Sequence, residues 1–250
     1  MQKILITGNA GYIGSHLTKL LQKDYDVYGL DIREPQASVT EHYQQDINRL
    51  LSIPNAFHAV IHLAALVNVG ESERIPIQYY ITNLNGTMNV INRINTNNFI
   101  FASTGAAEGC GSAYGISKRA AEDVVREYCT MHSKKDFTIF RFYNVIGTSG
   151  YMPTNPDGLF ASLIAATKTG EFTIFGDDYN TKDGTCVRDY THVNEICHAV
   201  IQGITESTNQ IENLGHGVGT TVKEMVELFR EARKLRDDLK VFYFTHPETI

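Results

Sequence analysis

Tyr114 and Lys118 stand four residues apart in the run Ala113-Tyr114-Gly115-Ile116-Ser117-Lys118. If that run is helical, the two side chains share a face. A phenol ordinarily ionises near pH 10 and is a poor base at neutrality. A neighbouring ammonium favours the phenolate, which makes the pair a tunable acid/base. The same spacing occurs by chance on solvated helix faces. Two upstream features lift this one above that background. Ser103-Thr104 closes an apolar run and offers a hydroxyl to the same substrate oxygen, and a glycine-rich turn lies near the N-terminus.

That turn is Gly8-Asn9-Ala10-Gly11-Tyr12-Ile13-Gly14, after the apolar run Lys3 to Thr7 and before a helical pattern with Leu17, Leu20 and Leu21. The spacing is a variant of the dinucleotide fingerprint. One glycine permits a sharp turn, another lets backbone approach a pyrophosphate, and the third lets the helix pack close to the sheet. The helix N-terminus then presents free N–H groups and a positive dipole end to the phosphates. Asp31 closes the next apolar run, seventeen residues after Gly14. A carboxylate there accepts the ribose hydroxyls and repels a ribose phosphate, which favours NAD over NADP. Arg33 tempers that choice. A glycine-rich turn without a ligand is the plainer alternative. A bound nicotinamide ring, being positively charged, would add to the field that favours a Tyr114 phenolate.

The elements that must position these groups alternate. Lys3 to Thr7, Asp26 to Leu30, Ala59 to Leu63, Asn98 to Ala102 and Asp136 to Phe142 are expected strands. Gly14 to Lys23, Ile77 to Ile94 and Ala113 to Met131 are expected helices. Near-continuous apolar strands alternating with helices predict an α/β fold, a Rossmann-type doubly wound parallel sheet. Gly147 to Gly158 reads as an irregular connection. Beyond it are expected a helix at Leu159 to Lys168, a strand at Phe172 to Phe175, a helix at Val193 to Ile204, and a capping box Thr221-Val222-Lys223-Glu224 that opens an amphipathic helix. The expected division is a dinucleotide-binding domain over 1–145 and a small C-terminal substrate-binding lobe over 146–250, with parts of 185–215 returning to the first domain.

Composition excludes several classes. The 250 residues are 42% hydrophobic and 20% charged, with a formal charge of -6. That argues against nucleic acid and against anionic membranes as partners. Cys110, Cys129, Cys186 and Cys197 form no C-x-x-C pair and no zinc pattern, so no metal is expected and the thiols read as small hydrophobes in a reducing compartment. The N-terminal apolar stretch is too short for a signal peptide, and Ala59 to Val67 is half a membrane span. A soluble, cytoplasmic protein is expected.

On its motifs the chain resembles the extended short-chain dehydrogenase/reductases, and within them the nucleotide-sugar epimerases of the UDP-glucose 4-epimerase branch. The likeness runs from Lys3 to about Glu231. It is carried by Thr7-Gly8 through Gly14-Ser15-His16, His62-Leu63-Ala64-Ala65, Val69-Gly70-Glu71-Ser72, Asn83-Leu84-Asn85-Gly86-Thr87, Arg141-Phe142-Tyr143-Asn144 and Asn213-Leu214-Gly215. The most specific segments are Gly176-Asp177-Asp178-Tyr179 and Asp183-Gly184-Thr185-Cys186-Val187-Arg188-Asp189-Tyr190-Thr191-His192-Val193.

The resemblance implies residue roles. Gly8, Gly11, Tyr12, Ile13 and Gly14 would hold the pyrophosphate of NAD, Asp31 the ribose, and Asp46 and Ile47 would surround adenine. Leu63, Ala64 and Ala65 would pass under the cofactor. Asn83, Thr104, Tyr114, Lys118 and Tyr143 would line its nicotinamide half or the sugar. Asn144 and Arg188 would hold the diphosphate of a UDP-sugar substrate, and Phe175 would contact the uracil. A guanidinium suits a phosphate independently of any family, with an internal ion pair to Asp189 or another carboxylate as the alternative for Arg188. The implied reaction inverts carbon 4 of a UDP-hexose by transient oxidation, with Tyr114, Lys118 and Thr104 catalytic. A homodimer pairing the helices Ile77–Ile94 and Ala113–Met131 is implied as well. The competing readings are another nucleotide-sugar reductase or dehydratase, and a catalytically silent NAD-binding module. Gly105 and Ala106 stand where dehydratases carry Asp-Glu, which argues against that class.

The chain departs from the family pattern in three places. Only nine residues separate Thr104 from Tyr114, a shortened loop. Val67 stands where a lysine commonly reaches the cofactor. The expected strand Lys240 to Phe244 leads into His246-Pro247-Glu248 rather than an arginine-rich segment, so a compact form with a shortened C-terminal cover is expected.

Overall fold

The computed structural model describes residues 1–49, 53–54, 56–131, 135–207, 209–233 and the backbone of 240–244. His246-Pro247-Glu248 lies outside the described residues. The strands are β1 (Lys3–Thr7), β2 (Asp26–Asp31), β3 (Glu41–Gln44), β4 (Ala56–His62), β5 (Asn95–Thr104), β6 (Asp136–Phe142), β7 (Asn144–Ile146), β8 (Glu171–Phe175), β9 (Val187–Arg188), β10 (Tyr190–His192), β11 (Gln210–Leu214), β12 (Thr220–Thr221) and β13 (Lys240–Phe244). The helices are α1 (Tyr12–Leu21), α2 (Val69–Arg74), α3 (Pro76–Tyr79), α4 (Gly86–Arg93), α5 (Ala106–Gly109), α6 (Ala113–Met131), α7 (Leu159–Thr169), α8 (Val193–Thr205) and α9 (Val222–Arg233).

Two compact units divide the chain. The first holds Met1–Phe142, Thr148–Met152 and His192–Leu214; the second holds Tyr143–Gly147, Pro153–Thr191 and Gly215–Ile250. In the first, seven strands lie in the order β11-β6-β5-β4-β1-β2-β3, and every described pairing is parallel. This is the doubly wound sheet that the alternation of elements predicts. The strand order reverses between β1 and β4, which opens a crevice at their carboxyl ends. Thr7 pairs with His62 in that register, so the glycine turn and the Leu63–Ala65 segment leave the sheet side by side.

Apolar runs become strands because both faces are covered. Ile4, Leu5, Ile6, Ala59, Val60 and Ile61 have no exposed surface. Leu5, Val60, Phe99, Phe101, Val90, Ala121 and Val125 belong to one core beneath α4 and α6. The second unit has its own core, in which Leu163, Phe172, Ile174, Tyr190, Met225 and Phe229 meet. The capping box forms there reciprocally: the Glu224 amide donates to Thr221 Oγ1 at 3.1 Å, and the Thr221 amide donates to Glu224 Oε2 at 3.0 Å.

The structure departs from the expected elements in one helix and at both edges of the sheet, and adds the short elements α2, α5, β7, β9, β10 and β12. Ile77 to Ile94 is not one regular helix: α3 and α4 are joined by a π-helical segment, Tyr80–Asn85. Asn83 lies inside it, and its amide is bonded outward to two other segments, which disturbs the regular ladder. Neither edge strand, β3 or β11, is expected from sequence, because Glu41-His42-Tyr43-Gln44 and Gln210-Ile211-Glu212-Asn213-Leu214 are not continuous apolar runs and each pairs on one side only.

Leu5→Ala should cost about 2–5 kcal/mol of stability, read as a lowered urea midpoint. An unchanged midpoint would contradict the central placement of β1.

Candidate active site

The turn after β1 is shaped by what a side chain would strike. Gly8 has φ +77°, and a Cβ there would lie 2.7 Å from the Ala64 nitrogen. A Cβ on Gly14 would lie 2.2 Å from the Gly8 carbonyl oxygen. Backbone therefore packs on backbone, and α1 starts close against the turn. Gly11 caps α1 without a side-chain hydrogen bond, and the first turn, which contains Tyr12 and Ile13, carries no acidic residue. The dipole end of α1 is therefore not neutralised by its own sequence, which suits an anion.

Asp31, 7% exposed, accepts from the Ala10 amide at 3.2 Å and from the Arg33 amide at 3.0 Å. Its carboxylate is thereby fixed beside the turn, and the Arg33 Nε lies 3.5 Å from it. A glycine cradle without side chains and an anchored carboxylate at the end of β2 fit a dinucleotide. Asp46 caps the short turn Ile47–Arg49 through the Asn48 amide at 2.8 Å. The Ile47 side chain is buried in the core, so the structure leaves its backbone for any contact with adenine.

Tyr114 and Lys118 are both buried on α6, with Lys118 only 3% exposed. The Lys118 Nζ sits 4.1 Å from the Phe101 ring centroid, a cation–π contact from β5. Burial pushes the ammonium down to about 7, opposed by the negative charge of Glu122. Burial pushes the Tyr114 phenol upward, and a hydrogen bond from Thr104 pulls it back. Thr104 Oγ1 already accepts from the Ala106 amide at 3.2 Å, so its own proton is available to the phenol oxygen. Tyr79 meets the Tyr114 ring edge-on at 6.3 Å and is itself tied through its hydroxyl to Asn68 and Glu71. The structure thus brings Thr104, Tyr114 and Lys118 together.

A hydrogen-bonded chain behind this pair was not singled out as functional from sequence. The Ala64 amide donates to Thr7 Oγ1 at 3.2 Å, and Thr7 Oγ1 lies 2.6 Å from His62 Nδ1. His62 Nε2 lies 3.0 Å from Thr87 Oγ1, which donates to the Asn83 carbonyl at 2.6 Å. Because Thr87 uses its proton on that carbonyl, His62 must donate from Nε2 and accept at Nδ1. A neutral imidazole satisfies every member. Burial, with the Lys118 charge second, holds His62 down to about 3. Asn83 extends the chain: its Oδ1 accepts from the Leu66 amide at 2.8 Å, and its Nδ2 donates to the Leu66 carbonyl and to Ser117 Oγ. The fully engaged amide of Asn83 ties the Leu63–Leu66 segment to α6 rather than facing open space. The signal was present in His62-Leu63-Ala64-Ala65, but its meaning depends on the β1–β4 register.

The other expected residues belong to the second unit. Asn144 donates from its amide and its Nδ2 to the Asp189 carbonyl, both at 3.1 Å. The Asp189 carboxylate accepts from the His216 and Gly217 amides at 3.1 and 2.8 Å, so it closes a turn. Arg188 donates to the Val187 carbonyl at 2.9 Å and is exposed. Phe175 is 75% exposed. Tyr143 precedes β7 and is half-buried. Among the described residues no group of His, Cys, Asp and Glu could hold a metal, and no helix is long and apolar enough to cross a membrane. Among the cysteines, Cys129 and Cys197 are buried as expected, whereas Cys110 is exposed.

Residues 4–215 match the NAD dependent epimerase/dehydratase family. The chain is 31% identical over 280 residues to a UDP-glucose 4-epimerase of Haemophilus influenzae, covering 93% of this chain and 83% of the relative. It is 30% identical to a UDP-glucose 4-epimerase of Bacillus subtilis, covering 91% and 81%. Among solved structures it is similar to the UDP-glucose 4-epimerase of Bifidobacterium longum in complex with NAD+ and UDP, with TM-score 0.84 and 27% identity over 99% of this chain and 88% of that one. The Brucella ovis UDP-glucose 4-epimerase in complex with NAD gives TM-score 0.85 at 26% identity, covering 100% and 88%.

The buried neutral His62 predicts acid sensitivity. In the unfolded chain it takes a proton near pH 6.5, in the folded protein only near about 3. Between those values only the unfolded state is protonated, so stability falls with falling pH by about 1.4 kcal/mol per unit from this group. His62→Gln should flatten that slope in urea titrations at neutral and mildly acidic pH. An unaltered slope would show that the imidazole is not held neutral.

Proposed function

The chain belongs to the NAD dependent epimerase/dehydratase family, and on that premise we propose that it is an NAD-dependent isomerase inverting carbon 4 of a UDP-hexose, the UDP-glucose/UDP-galactose pair. The observation that carries the reading is a buried Tyr114, one helical turn from a buried Lys118 and hydrogen-bonded by Thr104, in the unit that holds the Gly8–Gly14 cradle and Asp31.

NAD, when bound, supplies a reversible two-electron acceptor for carbon 4 of the sugar. Gly8, Gly11 and Gly14 let the backbone approach its pyrophosphate, the Tyr12–Ile13 turn of α1 supplies N–H groups, and Asp31 takes the ribose hydroxyls in preference to a ribose phosphate. Leu63, Ala64 and Ala65 form the backbone floor, held by Thr7, His62 and Asn83.

The chain's own part is the proton. Tyr114 as phenolate takes the proton from the 4-hydroxyl and later returns it to the same oxygen. Lys118 lowers the cost of the phenolate, and Thr104 donates to the oxygen that gains charge. Asn144 and Arg188 bind the diphosphate and Phe175 the uracil. Binding energy spent on the nucleotide supports chemistry at the remote sugar.

The reading includes a homodimer and a cytoplasmic location. Ile77, Ile81 and Met88 are exposed along α3, the π segment and α4, and Ile116 is exposed on α6, at 69%, 38%, 38% and 40%. Apolar exposure on α3, α4 and α6 supports pairing with a second copy. The free thiols support a reducing compartment.

Purified protein given UDP-galactose should form UDP-glucose without added reductant; a requirement for NADPH would indicate a reductase instead. Tyr114→Phe should lower turnover by about 10²–10⁴-fold while leaving the melting temperature close to that of the parent, and undiminished turnover would discard the mechanism. Sedimentation should give twice the chain mass, with Ile77→Lys shifting it toward one chain mass; a parent that sediments as a monomer contradicts the dimer.

A further inference from the structure

Glu122 lies on α6 one turn beyond Lys118, as Lys118 lies one turn beyond Tyr114. It has no exposed surface. An isolated carboxylate at such a site is costly unless it is paired and hydrogen-bonded. Arg141 from β6 grips it with both sides of its fork, Nε at 2.9 Å from Oε1 and Nη2 at 2.7 Å from Oε2. Ser103 from β5 donates a hydrogen bond to Oε1. The remaining arm of Arg141 reaches Glu108 of α5 at 2.9 Å, and Glu108 is held in turn by Asn213 at 3.0 Å. Charges alternate along this line: Tyr114 when ionised, Lys118, Glu122, Arg141, Glu108.

An Arg–Glu pair by itself would be internally neutral. Here one guanidinium serves two carboxylates, so Glu122, Arg141 and Glu108 together carry a net negative charge behind a buried ammonium. Facing that ammonium from other elements, among the described residues, are His62 of β4, held neutral, and the ring of Phe101 of β5. Tyr79 of α3 faces Tyr114. Of the α6 acids Glu122, Asp123 and Glu127, Glu122 alone is buried, one turn from Lys118, and its charge acts on that ammonium.

We propose that Glu122 is a positioning residue that keeps the Lys118 ammonium charged beside Tyr114, and that Arg141 and Ser103 hold Glu122 to that task. The proposal rests on Tyr114 being the acid/base of the reaction. Burial alone drives Lys118 toward its neutral form, and Glu122 opposes it. Removing the carboxylate releases a direct repulsion on the Tyr114 phenolate from about 12 Å along the helix, but removes the ammonium's attraction from about 6 Å. The phenolate and the ammonium stabilise each other and titrate as a pair, so the nearer loss dominates and phenolate formation moves to higher pH.

The ionisation of Tyr114 is read as the ultraviolet phenolate signal lost in a matched Tyr114→Phe protein, with and without NAD. This readout does not depend on which sugar is turned over, so its failure and that of the epimerase reading are separable. In Glu122→Gln the Tyr114 midpoint should rise by about one unit, roughly a tenfold loss of phenolate below it, and the rising limb of turnover against pH should follow. Glu122→Asp, which keeps the charge, should restore most of the shift. Glu108→Gln, at a half-exposed position that does not threaten the fold, should give a smaller shift in the same direction. A variant that folds, loses turnover equally at every pH and keeps the parent's Tyr114 midpoint would reduce Glu122 to a structural partner of Arg141. Should Glu122→Gln not fold, an unshifted midpoint in Glu108→Gln would overturn the proposal.

Discussion

A lysine ammonium sealed inside a sheet–helix interface is the constraint around which the first unit is arranged. Lys118 is 3% exposed, and water cannot solvate its charge. The fold meets the cost with a ring face from Phe101, a carboxylate one turn further along α6, and a phenol one turn before it. Each partner requires another. Glu122 needs Arg141 and Ser103, and Arg141 in turn engages Glu108. The buried polar groups are linked, so the energetic consequences of removing one are not confined to it.

The same logic governs the backbone. Segment Leu63–Leu66 leaves β4 with polar groups that the sheet no longer satisfies. Thr7 and Asn83 take them up, and neutral His62 joins Thr7 to Thr87. The π-helical segment at Tyr80–Asn85 places Asn83 where it spans from Leu66 to Ser117 of α6. The segment that follows β4 and the helix carrying Tyr114 are thus joined through the Asn83 side chain, which favours a fixed spacing between them.

What was legible in the sequence was local. The glycine turn is a strand–turn–helix signal within seven residues, and Tyr114 with Lys118 needs only helical spacing. The alternation of elements gave the doubly wound sheet, because apolar strands covered on both faces leave a plain pattern. The partners of these groups were not legible, because they are made by register. Thr7 and His62 are 55 positions apart and meet only because β1 pairs with β4 as it does. Glu122 and Arg141 lie on different elements 19 positions apart, and nothing in either neighbourhood announces the pair. The break in the expected helix Ile77–Ile94 was hidden for the same reason: Asn83 perturbs the helix through bonds to residues distant in sequence.

In the proposed mechanism the only proton handled by Tyr114 is one bound to oxygen. UDP-galactose carrying deuterium on carbon 4, turned over in ordinary water, tests it directly. The product should be UDP-glucose that retains the deuterium at carbon 4. Loss of the label to solvent would mean that a base removes the carbon-bound proton itself, and would contradict the role given to Tyr114.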